Sequence, residues 1–244
     1  MTNDSSTSSV SAPSVSGVVV IDKPPRVTSS GVVTRLKGVL RRLKLAKVKV
    51  GHAGTLDPFA TGVLLILIGS ATKKAESLMN SPKQYEATIK LGCTTETDDP
   101  ESPEVITHDA MRIDVETLRA ALQTQIGEID QMPPLYSALK IAGKRASDRV
   151  RLGQPVELAP RRVHIYSIEL LDYAWPIARV RVDCGRGTYV RAIARDIGKA
   201  LGVGAYLLEL RRTRVGEYDV ANALKSDELT PQRLRDVLGI ELKG

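Results

Sequence analysis

Residues 83–91 read KQYEATIKL, and the side chains alternate cleanly. Tyr85, Ala87, Ile89 and Leu91 fall on one face, Glu86, Thr88 and Lys90 on the other, the pattern of a half-buried strand. Strands are also expected at 162–172, 178–184 and 205–211. On the N-terminal side, GVVVI (Gly17–Ile21) reads as a short buried strand ended by Lys23-Pro24-Pro25. Thr28, Ser29 or Ser30 can cap a helix running to about Leu45, with Val32, Val33, Leu36, Val39, Leu40 and Leu43 forming its apolar stripe. Further helices are expected from Thr72 to about Met79, at 115–123, at 144–152 before Gly153, at 188–201 before Gly202, and from Thr230-Pro231 onward. There is no internal repeat and no strict strand–helix alternation. The pattern therefore predicts a mixed α/β (α+β) fold with a large, mainly antiparallel sheet flanked by helices.

Charge is segregated along the 244 residues. The formal net charge is +7, and Lys23 to Lys49 holds nine Lys or Arg and no acid. Glu96, Asp98, Asp99, Glu101, Glu104, Asp109, Asp114 and Glu116 make the middle acidic, and Thr94–Pro103 reads as an exposed loop. A one-sided basic surface suits a polyanion. Arg41 and Arg42 lie on the basic part of the first helix, where phosphate contacts or a solvated face are both open readings.

Two cysteines, Cys93 and Cys184, are too few for a disulfide framework and point to a reducing, cytoplasmic setting. The longest apolar run, Val63–Ile68, is too short for a bilayer, so no membrane association is expected. His52, His108 and His164 are far apart and none pairs with a cysteine at ligand spacing, so no metal is expected. Residues 1–16, rich in Ser and Thr, are expected to be a disordered tail.

Chemistry concentrates in GHAGTLDPFATG (Gly51–Gly62). Its glycines allow close approach of backbone, and Pro58 fixes the chain after Asp57. Asp57 can be a reactive carboxylate or the side chain of an Asx turn. In CGRGTYVRAIARDIG (Cys184–Gly198), a turn precedes a helix carrying Tyr189 and Arg191 at its start. A guanidinium there can hold a carboxylate ionised or serve as a surface ion-pair partner. LRRTRVG (Leu210–Gly216) adds Arg211, Arg212 and Arg214, read as phosphate contacts or ordinary surface charge. Tyr85 by itself reads as a core aromatic.

These segments, with DKPPRVTSS (Asp22–Ser30), KQYEA (Lys83–Ala87), PPLYSALKIAGKRA (Pro133–Ala146) and RRVHI (Arg161–Ile165), resemble TruB-type tRNA pseudouridine synthases from Val18 to about Tyr218. The resemblance implies a pseudouridine synthase-like fold, no cofactor, and a uridine at position 55 of the tRNA T-arm as target, everted into a pocket. It implies Asp57 as the catalytic aspartate, Arg191 as its partner and Tyr85 as the stacking tyrosine. It further implies Leu210 lining the base pocket, His52 near the space left by the flipped nucleotide, and Lys23 beside the site floor. Ala53 stands where the family commonly has Thr, and Ser147 where an aromatic is frequent.

The expected division is a tail at 1–16, a catalytic domain at 17–218, and a short extension at 219–244 in place of a full RNA-binding domain. No obligatory protein partner is expected. Two alternatives stay open: a guide-RNA-dependent relative acting on ribosomal RNA, and a non-catalytic tRNA chaperone.

Overall fold

The strand expected at 83–91 spans Lys83–Leu91 and lies inside a ten-stranded sheet in the computed structural model of the chain. The structure describes residues 15–107, 111–141 and 143–239. His108, Asp109, residues 1–14 of the expected tail and the last five residues lie outside these. Val15 and Ser16, placed in that tail by the sequence reading, are instead held: Val15 is buried, and Ser16 Oγ accepts from Ala71 N at 3.0 Å.

The strands in the first half of the chain are β1 (Gly17–Lys23), β2 (Val50–Ala53), β3 (Thr61–Ile68), β4 (Lys83–Leu91), β5 (Cys93–Thr95) and β6 (Glu104–Ile106). Those in the second half are β7 (Gly127–Gln131), β8 (Lys140–Ile141), β9 (Lys144–Arg145), β10 (Arg161–Ala174), β11 (Ile177–Cys184), β12 (Ala205–Val215), β13 (Tyr218–Asp219) and β14 (Leu224–Lys225). The helices are α1 (Ser29–Arg42), α2 (Ala75–Asn80), α3 (Val115–Gln123), α4 (Ala146–Arg151), α5 (Val190–Ala200) and α6 (Pro231–Leu238).

The large sheet runs β14-β1-β3-β12-β4-β11-β10-β7, with β2 on β3 and β13 on β12. Its pairings are antiparallel except for the parallel β1–β14 and β3–β12 contacts. The fold expected from the pattern is therefore present. The short β3–β12 pairing, Arg211 opposite Thr61 and Arg212 opposite Gly62, is the seam joining the two halves of the sheet.

β3 is continuously apolar because both of its faces are covered. Leu64, Ile66 and Ile68 pack with α1, through Val32, Leu36, Val39 and Leu40, while Val63, Leu65 and Leu67 belong to a second cluster with Val215. Each such fully buried aliphatic side chain stabilises the fold by about 1.5–3 kcal/mol. Thr28 caps α1 by accepting from Gly31 N. The helix stops at Arg42, short of Leu45, where Lys44 takes a left-handed φ of 60°.

In the other half, Ile193, Ala194 and Ile197 of α5 pack on Ile89, Val180 and Leu207 of the sheet. The segment after β12 returns to the first half: Leu224 pairs with Ile21, and Leu234 of α6 joins the α1 core. No described helix is long and apolar enough to cross a membrane.

Candidate active site

The loop between β2 and β3 crosses the seam of the sheet, and buried polar groups pin it at successive positions. Ser29, at the start of α1, accepts from Leu56 N at 2.9 Å and donates to Leu56 O at 3.1 Å. Lys23, at the end of β1, is fully buried, and its Nζ donates to Pro24 O (2.9 Å), Val27 O (2.7 Å) and Pro58 O (3.1 Å). Burial lowers the Lys23 pKa to about 8, against the opposing pull of Asp57.

Arg212 donates through Nε to Val63 O at 2.8 Å, and its two terminal nitrogens reach Thr55 O and Gly54 O at 3.5 and 3.3 Å. Gly62 closes the loop with φ 100°, and a Cβ there would sit 2.1 Å from the Arg212 carbonyl oxygen. The seam thus requires glycine at that position.

Asp57 is held between these clamps and faces a cavity of about 440 Å³. Its Oδ2 lies 3.0 Å from Nε of Arg191 in the first turn of α5. This contact is an ion pair rather than an aligned hydrogen bond, since Arg191 Nε has no hydrogen-bond partner among the described residues. The aligned donors of Arg191 go elsewhere: Nη1 to Thr97 O at 2.9 Å and Nη2 to Tyr136 O at 3.0 Å. Nη1 also lies 3.1 Å from Oδ2 of Asp99, and both of these side chains are 3% exposed. Asp99 accepts in turn from Thr97 Oγ1 and from Glu101 N.

One guanidinium therefore faces two carboxylates. Burial raises the Asp57 pKa, Arg191 opposes that, and the neighbouring Asp99 adds to it. If ionised Asp57 is the working form, the acid limb of kcat/KM lies above the ordinary carboxylate value near 3.8. A pH–rate profile with its limb at or below that value would contradict the assignment.

Tyr85 of β4 is 8% exposed and lines the same cavity. Burial holds its phenol above the ordinary value, so the side chain is neutral near pH 7. Leu210 of β12 and Tyr189, the residue capping α5, complete the wall. Gln131 fixes Tyr189 by accepting from its N at 2.8 Å and donating to its O at 3.1 Å.

The sequence candidates Asp57, Arg191, Tyr85, Leu210 and Tyr189 thus meet around one cavity, with Lys23 buried behind the loop. His52 sits on β2 opposite Ile66, outside the cavity lining. Arg41 and Arg42 are exposed at the end of α1, also away from the cavity.

Two readings need correction. Arg212, placed among surface phosphate contacts, is 2% exposed and committed to main-chain carbonyls of the loop and of β3. Arg211, its neighbour on the opposite face, forms a two-pronged pair with Asp22, the shorter contact 2.8 Å. Thr94–Pro103 is not an exposed loop throughout, because Thr95, Thr97 and Asp99 are buried and Asp99 is the second carboxylate of the site. Asp99 and Lys83, another cavity residue, were missed by sequence reasoning. Among the described residues, no group of three or more His, Cys, Asp or Glu is placed to hold a metal.

Comparison with known proteins adds to this geometry. Residues 41–190 match the family model described as TruB family pseudouridylate synthase, N-terminal domain. Residues 191–237 match that of the tRNA pseudouridylate synthase B C-terminal domain. The boundary between the two falls inside α5, whose residues pack on the same sheet as the first match.

The tRNA pseudouridine synthase B of Phocaeicola vulgatus is 44% identical over 226 residues, covering 91% of this chain and 96% of that protein. The protein of the same name from Cupriavidus metallidurans is 44% identical over 89% of this chain and 68% of its own length. Among solved structures, a chain of the archaeal box H/ACA sRNP Nop10-Cbf5 complex superposes with a TM-score of 0.65 at 28% identity. That match covers 93% of this chain, which spans 57% of the longer relative.

Proposed function

The chain belongs to the TruB family of pseudouridylate synthases, and from that premise we propose that it isomerises uridine to pseudouridine in tRNA, at position 55 of the T-arm, without a protein partner. The observation that carries this reading is Asp57, pinned in a cavity mouth 3.0 Å from a buried arginine and facing the same space as Tyr85.

The chemistry asks for little else. Pseudouridine is an isomer of uridine: the N1–C1′ bond breaks, the uracil turns, C5 bonds to C1′, C5 loses a proton and N1 gains one. Nothing is oxidised or added, so no cofactor is required by the balance. A carboxylate can start the reaction by attacking C6 of the ring, by attacking C1′ of the sugar, or by removing the 2′ proton. Each route needs Asp57 ionised and a base turned out of its stack. Tyr85 offers a flat wall on which an everted uracil can stack, and Leu210 and Tyr189 bound the rest of the pocket. His52 and Lys23 act from outside the cavity in this reading, His52 near the space the nucleotide leaves and Lys23 by fixing Pro58.

The deciding experiment is incubation of the purified protein with an unmodified tRNA transcript, followed by mapping of pseudouridine at nucleotide resolution. Product confined to position 55 of the T-arm is expected. Modification that requires a guide RNA or a protein complex would favour the ribosomal RNA reading, and binding without product would favour a chaperone.

Eversion of the base costs a few kcal/mol, which backbone contacts must offset. Arg41 and Arg42, exposed at the C-terminal end of α1, are proposed to supply two of them. Changing both to Gln is expected to weaken tRNA binding and to reduce the slope of log Kd against log salt by roughly 1–2. A slope equal to that of the unaltered protein would remove this helix end from the interface.

A further inference from the structure

We propose that Lys83, Arg186 and Thr188 form a phosphate subsite at one end of the catalytic cavity, which takes the backbone phosphate next to the everted nucleotide. This rests on the functional reading above and extends it to residues outside the Asp57–Arg191 pair.

The charge of the cavity points there. Asp57 is the only carboxylate among its described lining residues, against the cations Lys83, Arg186, Arg191 and Arg212. Arg191 is matched by two carboxylates, and Arg212 is committed to main-chain carbonyls. The positive charge left over belongs to Lys83 and Arg186.

Both are fixed on one short segment. Lys83 Nζ donates to Met79 O and to Ser81 O, the latter at 2.6 Å, which leaves the third ammonium N–H for a ligand. Arg186 Nη1 donates to Asn80 Oδ1 at 2.7 Å. Its nearest carboxylate, Glu76, is 3.8 Å away and 80% exposed, too wet to neutralise it.

Cys184 lies opposite Lys83 in the β4–β11 register. Beside it, Thr188 Oγ1 is buried and, the Cys184 thiol apart, has no hydrogen-bond partner among the described residues. A buried hydroxyl left in this state is a group waiting for an acceptor or donor. Gly185 and Gly187 flank Arg186 in the cavity wall, and a Cβ on Gly187 would meet nothing within 4 Å. The turn is therefore open on that side.

A nucleobase swung into the cavity carries its phosphates behind it. An ammonium and a guanidinium held against the same segment at residues 79–81, with a hydroxyl on the neighbouring turn of the cavity lining, offer donors to such an oxyanion. Free uracil or uridine lacks this group, so the subsite selects a nucleotide within a chain.

The test is a binding cycle on a synthetic RNA hairpin containing the target uridine. One linkage at a time, 5′ or 3′ of that uridine, is replaced by a neutral methylphosphonate. Kd is measured for the unaltered protein and for Arg186→Gln, chosen because Arg186 is exposed while Lys83 also holds the Met79 and Ser81 carbonyls.

Each change alone is expected to weaken binding roughly tenfold. For one of the two linkages the losses should not multiply, so the altered protein binds native and neutralised RNA alike. Losses that multiply at both linkages would overturn the proposal. The readout is binding, so absence of pseudouridine, which would sink the functional reading, is scored separately on the same hairpin.

Discussion

Asp57→Asn is expected to abolish pseudouridine formation, by at least ~10³-fold in kcat, while tRNA affinity stays within several-fold. The substitution keeps the size and planarity of the side chain and removes its charge and nucleophilicity. The loop should hold its shape, because the groups pinning it bond to the main chain at Gly54, Thr55, Leu56 and Pro58 and not to the carboxylate. Loss of the negative charge relieves one of the two acids facing Arg191, so the neighbouring ion pair with Asp99 remains intact. In the proposed reading, binding energy comes from phosphates and from the stacked base, neither of which involves the carboxylate. Single-turnover assays with mapping of the product, alongside filter binding, separate the two quantities. Turnover by the asparagine variant within tenfold of the unaltered protein would remove Asp57 from the reaction.

How much of this site could be read from the sequence follows from the range of the interactions. The strand at 83–91 was legible because alternation is local, and β3 because a six-residue apolar run between glycines leaves few options. Asp57 stood out through its glycine- and proline-bounded loop. Asp99 did not: it lies in a polar, acidic stretch, and its burial depends on Arg191 and on donors at Thr97 and Glu101. Nothing within a short window around Asp99 encodes a guanidinium 92 positions away.

Arg212 was misread for a different reason. Three arginines in LRRTRVG resemble a basic surface, yet a strand alternates, and Leu210 facing inward puts Arg212 on the same inward side. The period-two signal was present and was overridden by composition. Val15 and Ser16 show the same limit at the N-terminus. A Ser-rich stretch gives no local sign that Val15 is buried or that Ser16 is held by residues 70 and 71.

Arg191→Gln is expected to damage stability as well as activity. Arg191 and Asp99 are each 3% exposed, and no other cation lies within ion-pair distance of Asp99 among the described residues. Removing one member of such a buried pair typically costs about 3–5 kcal/mol, because the remaining charge is left without compensation. For a chain of this size that corresponds to a melting temperature lower by roughly 6–20 °C.

The catalytic effect has a separate signature. The Asp57 pKa is already raised by burial and held back chiefly by Arg191. Without the guanidinium the carboxyl rises further, and the acid limb of kcat/KM moves to higher pH. Adding Asp99→Asn to Arg191→Gln removes the orphaned acid and should recover much of the lost stability, while the acid limb returns only in part: loss of the Asp99 charge lowers the Asp57 pKa, but the larger effect of Arg191 is still missing. Thermal melts and pH–rate profiles of the single and double variants test both halves of the claim. If Arg191→Gln left the acid limb where it was, the guanidinium would be a structural strut for Asp99 and would have no part in keeping Asp57 ionised.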